Sequence, residues 1–558
     1  GTITGLVGGR EYSFVVSALN RGGEGDVSDV FLQSTSPAAP TALASTLQTT
    51  TSISLSWAAP VTETGGADVT GYILYRNDGS ADGAVSIEVY GADAAVDATT
   101  TTSELSFEVT GLSGGVEYQF AVAARSSAGL GDRSEVVRVS TSSAVAGAPV
   151  ATHQTASSIT LSWSAPAVGT GAAVTGYQVY LVTVAEGATA YTVAHDGRDS
   201  TATSVELSSL ESGSLYTYVL SSLSDAGESD KSDEMSASTA PGVATGLSST
   251  LQTTSSISLA WTAPTILSGE AVTGYKVYSR SVSVALGANN QIGDGSDGVV
   301  VDTLVYDGRN DVTTSTDPAT ELNDLEGGTL YTYLVGALSN AGEGDRSASL
   351  DVSTAAPAPT ALMSVSQTTT GMELSWTAPE VSSGEAVTGY KVYRDDGAGG
   401  AVDVVAYDSR ASSGDFVSTS CSVSGLTGGL TYAYQVSALS LAGESDRSTV
   451  MTSPTSPLQV SGVASTLQTT GSITLSWSAP SASVGNAASG YMVYRNDGVG
   501  GSEMSTVGYD GSSSTSTSGT ITGLVGGREY SFVVSALNRG GEGDVSDVFL
   551  QSTSPAAP

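Results

Sequence analysis

The sequence predicts an all-β chain of small sandwiches in tandem. Three observations carry this: a composition suited to strands and turns, five tryptophans in one recurring setting, and a stretch that occurs twice, letter for letter. Of 558 residues only 13% are charged and 6% aromatic, while glycine alone contributes 67. Ser and Thr fill much of the rest, which fits short strands and tight turns better than helices. On a prior of about 100 to 200 residues per domain, the length allows roughly three to five domains.

The tryptophans recur as Leu-Ser-Trp57-Ala-Ala-Pro, Leu-Ser-Trp163-Ser-Ala-Pro, Leu-Ala-Trp261-Thr-Ala-Pro, Leu-Ser-Trp376-Thr-Ala-Pro and Leu-Ser-Trp477-Ser-Ala-Pro. Before each, apolar residues alternate with residues that are mostly Ser or Thr, as in Ile53, Leu55 and Trp57. That period of two makes a strand with one buried face. The proline after it cannot donate to a ladder and closes the strand. A second strand follows as Gly-Tyr-x-x-Tyr, with Tyr72 and Tyr75, Tyr177 and Tyr180, Tyr275 and Tyr278, Tyr390 and Tyr393, Tyr491 and Tyr494. Three of these run into Asp-Gly turns at Asp78, Asp396 and Asp497. The third signature places a leucine before a tyrosine: Leu112 and Tyr118, Leu210 and Tyr216, Leu325 and Tyr331, Leu426 and Tyr432, Leu524 and Tyr530. It predicts a tyrosine corner, the ring packed inside and the hydroxyl bonded to backbone upstream.

An early-strand Trp, a Tyr-rich third strand and Leu-x5-Tyr-x-Phe/Tyr before a glycine hairpin resemble the fibronectin type III family along essentially the whole chain. The resemblance implies seven-stranded Greek-key sandwiches without a disulfide, in keeping with the single cysteine, Cys421. The expected modules are 39–145, 146–240, 241–355, 356–456 and 457–558, preceded by the C-terminal part of another at 1–38. Short linkers bearing Pro37, Pro40, Pro149, Pro241, Pro357 and Pro454 read as semi-rigid spacers, and the array as an extended rod. Residues 1–40 are identical to 519–558, a period of 518 residues, which is expected to continue in a longer array. Residues 1–38 carry only the last strands of a sandwich and fall short of a core of their own.

With 56 acidic against 19 basic residues, the net charge is −37, spread along the length. Nucleic acid is excluded as a partner, because a phosphate backbone needs a basic stripe. The acidity reads first as solubility and self-repulsion, and second as divalent-cation binding at turns or between modules. No apolar run reaches the ~18 residues of a membrane span. Gly1 lies within a module, so no signal peptide is to be read here.

The candidate sites are few. His195 stands in His-Asp-Gly-Arg where sister modules have Tyr306 and Tyr407, so it reads as a packing residue, and His153 has no cysteine partner. Cys421 shares parity with Val423 and reads as a small core residue. Glycine-rich runs such as Gly342-Glu-Gly-Asp345-Arg346 read as hairpin turns, since no helix or Lys-Ser/Thr follows. Arg-Gly-Asp is absent, which leaves integrin-type adhesion unsupported. Asp294, Asp297 and Asp302 have the composition of a calcium loop without its spacing, and a polar turn is the competing reading. No Asn-x-Ser/Thr sequon occurs, whereas O-linked glycans on Ser and Thr remain open. The interval from Trp261 to Trp376 is the longest, so the third module is expected to carry a long middle hairpin with Val299, Val300 and Val301 as a lateral contact.

No nucleophile, base and oxyanion donor converge in any repeat, so no enzyme activity and no organic cofactor are expected. The leading expectation is a structural protein of an extracellular filament, sheath or surface appendage, touching copies of itself at the repeat period. The alternatives are the stalk of a cell-surface adhesin and the spacer array of a secreted polysaccharide-active enzyme.

Overall fold

A computed structural model describes residues 1–63, 65–90, 105–284, 298–309, 318–411, 415–481 and 486–556. It is all-β apart from one turn of 3-10 helix at Ser409–Ala411. Two compact units divide the chain. One comprises Gly1–Val243, Pro264–Gly274 and Gly336–Asp345; the other comprises Ala244–Ala263, Tyr275–Val335 and Arg346–Pro558.

The first unit opens with four strands: β1 (Glu11–Phe14), β2 (Ser17–Asn20), β3 (Gly23–Val27) and β4 (Phe31–Ser34). Among the described residues they pair only with one another, β1 with β4 and β2 with β3. The first complete module follows as β5 (Thr41–Gln48), β6 (Ile53–Ala58), β7 (Val69–Arg76), β8 (Ile87–Tyr90), β9 (Ser106–Val109), β10 (Glu117–Ser126), β11 (Gly129–Arg133) and β12 (Val137–Ser140). One sheet runs β5-β6-β9 and the other β11-β10-β7-β8, with β12 extending the β11 edge of β10. Counting β11 and β12 as one interrupted strand gives seven, all antiparallel. Three-stranded and larger sheets of this topology recur in the four later modules.

The alternation read from sequence sets the sandwich. Along β6, Ile53, Leu55 and Trp57 are buried while the Ser and Ala between them are half-buried. Tyr72, Leu74, Tyr118, Phe120 and Val122 close the core from the opposite sheet. The other modules repeat this around Trp163, Trp261, Trp376 and Trp477. In each, the Trp ring meets the first Tyr of Gly-Tyr-x-x-Tyr at an angle, with centroids 5.2 to 5.5 Å apart. Such tilted pairs add to the burial itself.

The long middle hairpin expected in the third module is present, and a second one was not foreseen. The third module does have a long one, strands Gly274–Val284 and Gly298–Asp307, but the second has its equal in Val174–Ala185 and Ala188–Gly197. The fourth module's counterpart has only Gly389–Arg394 and Val404–Asp408. The tryptophan interval missed the second hairpin because its turn is tight. Glu186 and Gly187 both take left-handed φ, 52° and 82°, as a two-residue turn requires.

Candidate functional site: the joint between modules

The joint begins at the tyrosine corner. The backbone N–H after each anchor leucine donates to the corner hydroxyl: Ser113 to Tyr118 at 3.0 Å, Glu211 to Tyr216 at 2.8 Å, Glu326 to Tyr331 at 2.9 Å, Thr427 to Tyr432 at 3.0 Å and Val525 to Tyr530 at 2.9 Å. The carbonyl of that same residue accepts from a threonine at the module's end. Thr141 donates to Ser113, Thr239 to Glu211, Thr354 to Glu326, Thr455 to Thr427 and Thr553 to Val525, all at 2.7 to 2.8 Å. These threonines were not singled out from sequence. Their signal is the Thr that ends each module's last strand.

The linker is then fastened on both sides by backbone. Ser142 donates to Thr49 O at 3.0 Å, while its own carbonyl accepts from Gly115 N at 2.7 Å. Ala240 is held likewise between Thr155 and Gly213, Ala355 between Thr253 and Gly328, and Ser456 between Thr368 and Gly429. Gly115, Gly213, Gly328 and Gly429 all have left-handed φ, from 60° to 75°, which favours glycine.

The carbonyls of three of these glycines are capped by the next module. Gly171 N donates to Gly115 O at 2.9 Å. Leu267, Ser268 and Gly269 surround Gly213 O at 3.0, 3.2 and 2.9 Å, and Ser382, Ser383 and Gly384 surround Gly328 O at 3.2, 3.4 and 2.9 Å. Adjacent hydroxyls add a return bond, from Glu117 N to Thr170, Leu215 N to Ser268 and Leu330 N to Ser383, at 3.0 to 3.2 Å. The approach is too close for a side chain: a Cβ on Gly171, Gly269 or Gly384 would stand 2.7 to 2.8 Å from the opposing glycine's carbonyl carbon.

A second bridge lies across the linker. Thr50 accepts from Asp230 N at 2.8 Å, Thr254 accepts from Asp446 N at 3.0 Å, and Thr369 donates to Asp544 Oδ2 at 2.7 Å. The second module has Ala156 at this place and so lacks the hydroxyl. Linker hydroxyls complete the contact, with Ser143 bonded to Ser222 at 2.8 Å and Ser456 donating to Gly540 O at 2.9 Å, both pairs buried. Each bond is worth about 1 kcal/mol net. After the first and third modules the glycine cap and the threonine bridge occur together.

The residues singled out from sequence are placed as follows. Trp57, Trp163, Trp261, Trp376 and Trp477 are buried, and their indole N–H groups have no hydrogen-bond partner among the described residues. Tyr118, Tyr432 and Tyr530 are buried; Tyr216 and Tyr331 are half-buried. The second Tyr of Gly-Tyr-x-x-Tyr lies under a cation from the glycine hairpin: Arg133 3.6 Å over Tyr75, Lys231 4.4 Å over Tyr180, Arg346 3.5 Å over Tyr278 and Arg447 3.7 Å over Tyr393. The arginine of Gly344-Asp345-Arg346 is thus committed to packing, as cation–π geometry favours.

Asp294 and Asp297 lie outside the described residues. The Asp302 carboxylate takes Arg280 at 2.7 Å and Arg346 at 2.7 Å, and these pairings hold it below the usual carboxylate range. Val300 and Val301 are exposed, each facing Val282 or Ser281 across the hairpin, and Val299 pairs Ser283 in the same ladder. Cys421 packs beside the fourth core, where burial pushes its thiol up to about 12. His153 is exposed, and His195 sits half-buried in a strand opposite Val179. Among the described residues no group of His, Cys, Asp and Glu is arranged to hold a metal, and no helix is long and apolar enough to cross a membrane.

Comparison with known proteins agrees with this architecture. The fibronectin type III domain profile matches residues 38–140, 143–238, 240–353, 357–454 and 457–551. The chain is 28% identical over 334 residues to exoglucanase B of Cellulomonas fimi, covering 56% of this chain and 26% of that protein. It is 34% identical over 204 residues to chitinase A1 of Niallia circulans, covering 34% of this chain and 25% of that protein. The chain thus spans about a quarter of the length of these relatives. Among solved structures, the FN1–FN3 domains of chicken CNTN1 align at 19% identity over 57% of this chain and 99% of that one, with a TM-score of 0.22. The profile matches leave little but linkers and the first residues uncovered, and the chain belongs to the fibronectin type III domain family, in five tandem copies.

Proposed function

We propose that the chain is a non-catalytic spacer in an extracellular protein, with neighbouring modules held in fixed orientation by the joints. The capping of Gly213 O and Gly328 O by consecutive N–H groups of the next module is the observation that supports this most. A linker meant only to tether would leave those groups to water. The relatives named exoglucanase and chitinase favour a setting in a secreted polysaccharide-acting protein, in which the array sets the distance between other domains. A second reading, a structural filament of many periods, draws on the identity of residues 1–40 with 519–558.

The spacer reading is tested by Gly384→Val, whose side chain has no room against Gly328. Distances between spin labels on the third and fourth modules should be narrowly distributed in the native chain and broad in the variant, with both modules still folded. Equal breadth in the two proteins would remove the reading. The filament reading requires an axial repeat in the native material, seen by electron microscopy.

A further inference from the structure

We propose that the fourth module binds a calcium ion at Asp395, in the loop that follows the strand Gly389–Arg394. Three modules share this loop, as Arg76-Asn77-Asp78-Gly79, Arg394-Asp395-Asp396-Gly397 and Arg495-Asn496-Asp497-Gly498. The residue after the arginine is buried in all three, with Asn77, Asp395 and Asn496 only 0%, 3% and 4% exposed. In the fourth module alone it is a carboxylate. Around it the fourth and fifth modules match closely. Oδ1 of Asp395 accepts from Gly397 N at 3.2 Å and Ala433 N at 3.0 Å, as Oδ1 of Asn496 accepts from Gly498 N at 3.2 Å and Ser531 N at 3.1 Å. Asp396 then accepts from Ala398 N at 2.8 Å, as Asp497 does from Val499 N at 2.9 Å. The match ends at the second side-chain atom. Nδ2 of Asn496 donates to Gly501 O at 2.9 Å, and Nδ2 of Asn77 to Ser80 O at 2.9 Å. Asp395 has an oxygen, Oδ2, in place of that donor, and the carbonyl corresponding to Gly501 O is that of Gly400.

Two acceptors therefore stand where the sister modules have a donor and an acceptor. Among the described residues no donor reaches Asp395 Oδ2. The neighbouring arginine does not turn toward it: Arg394 Nη1 donates to the main-chain oxygen of Asp395 at 2.7 Å, just as Arg495 does to that of Asn496 at 2.8 Å. A buried carboxylate oxygen beside a carbonyl needs a positive partner. Calcium suits these donors, because it takes carboxylate and main-chain oxygens with water completing its shell. The Asp396 carboxylate is at hand, since a Cβ on Gly400 would lie 3.1 to 3.3 Å from its oxygens. Asp395, Gly397, Gly400, Thr431 and Thr452 line a cavity of about 730 Å³, which has room for the water ligands. With two carboxylates and a main-chain oxygen, the site has too few acidic side chains to stand out as a cluster. The net charge of −37 raises the concentration of cations near it.

Two reciprocal substitutions test this. Asp395→Asn copies the sister modules and restores the missing donor, whereas Asn496→Asp gives the fifth module the arrangement of the fourth. Calcium chloride titrated calorimetrically into the whole chain at physiological salt should fill one site fewer in Asp395→Asn than in the native chain, and one more in Asn496→Asp. The loop itself gives a second readout. At calcium a hundredfold above its Kd, exchange of the Gly397 amide through loop opening should slow about a hundredfold in the native chain and stay unchanged in Asp395→Asn. A native chain that binds no calcium, or an Asp395→Asn chain that binds as much as the native one, overturns the proposal. So does an Asn496→Asp chain that folds and gains no site, since the exchange of amide for carboxylate would then not be what makes one.

Discussion

Residues 1–38 and 519–556 are one sequence in two surroundings, and they differ only in what is non-local. The tyrosine corner survives in both, with Val7 N donating to Tyr12 at 2.7 Å as Val525 N does to Tyr530 at 2.9 Å. The threonine bond survives too, Thr35 to Val7 O and Thr553 to Val525 O, each at 2.7 Å. Even the ring pairs match, Tyr12 with Phe14 at 6.1 Å and Tyr530 with Phe532 at 6.2 Å. What is lost is strand continuity. The single strand Glu529–Asn538 becomes Glu11–Phe14 and Ser17–Asn20, broken at Val15 and Val16, whose twins pair with Tyr494 and Val493. Turn chemistry is thus written locally, while the long strand exists only against its neighbour.

This contrast can be broken at matched positions. The largest effect is expected from Phe532→Ala, which empties a fully buried site in the fifth core and should cost that module about 3 to 5 kcal/mol. Phe120→Ala, at the same place in the first module, should cost that module a like amount, and calorimetry of the two variants decides: a loss confined to one of them would mean that the cores are not built alike. Removing only the corner hydroxyl should matter less: Tyr530→Phe is expected to lower the stability of the fifth module by about 1 kcal/mol. Tyr12→Phe, whose bond is open to water, should have no measurable effect in the same urea titration.

The smallest effect concerns alkali. Tyr494 donates to Glu542 at 3.0 Å, and burial, followed by that bond and the charge of Glu542, raises its phenol to about 12. A raised value means that the fold favours the neutral phenol, so its contribution is whole below the ordinary value of 10.0 and is lost as the pH climbs to about 12. Glu24, the twin of Glu542, bonds Ser17 as Glu542 bonds Ser535. The fifth module should therefore melt progressively lower across that window, and Tyr494→Phe should flatten the slope. An unchanged slope would discard the assignment.

Much of the module was legible in the sequence and little of the joint. Trp57, Leu112 and Tyr118 announce themselves because a rare residue type recurs at a fixed place and alternation fixes its face. The joint is built from Gly, Ser and Thr, the commonest letters here, and its bonds span modules: Glu117 to Thr170, Leu215 to Ser268 and Leu330 to Ser383. Each of these pairs is separated by the same 53 residues, a regularity that could have been found only by comparing offsets between modules. The second long hairpin escaped for a related reason. Counting residues between tryptophans registers insertions in loops, but not loop residues converted into strand. The ion pairs of Asp302 could not be read from spacing, because the cations that meet it, Arg280 and Arg346, come from a paired strand and a distant hairpin.

The joints should be closed in solution, and amide exchange in the native chain reads this directly. Gly269 and Gly384 lie in loops, where exchange would run near the unprotected rate if the neighbouring carbonyl were absent. With Gly213 O and Gly328 O accepting from them at 2.9 Å, each should be slowed, by about a hundredfold on the scale of local opening free energies. Exchange of both amides at the unprotected rate, while Val335 and Val436 in the cores stay protected, would contradict the account and leave the modules as beads on a loose string.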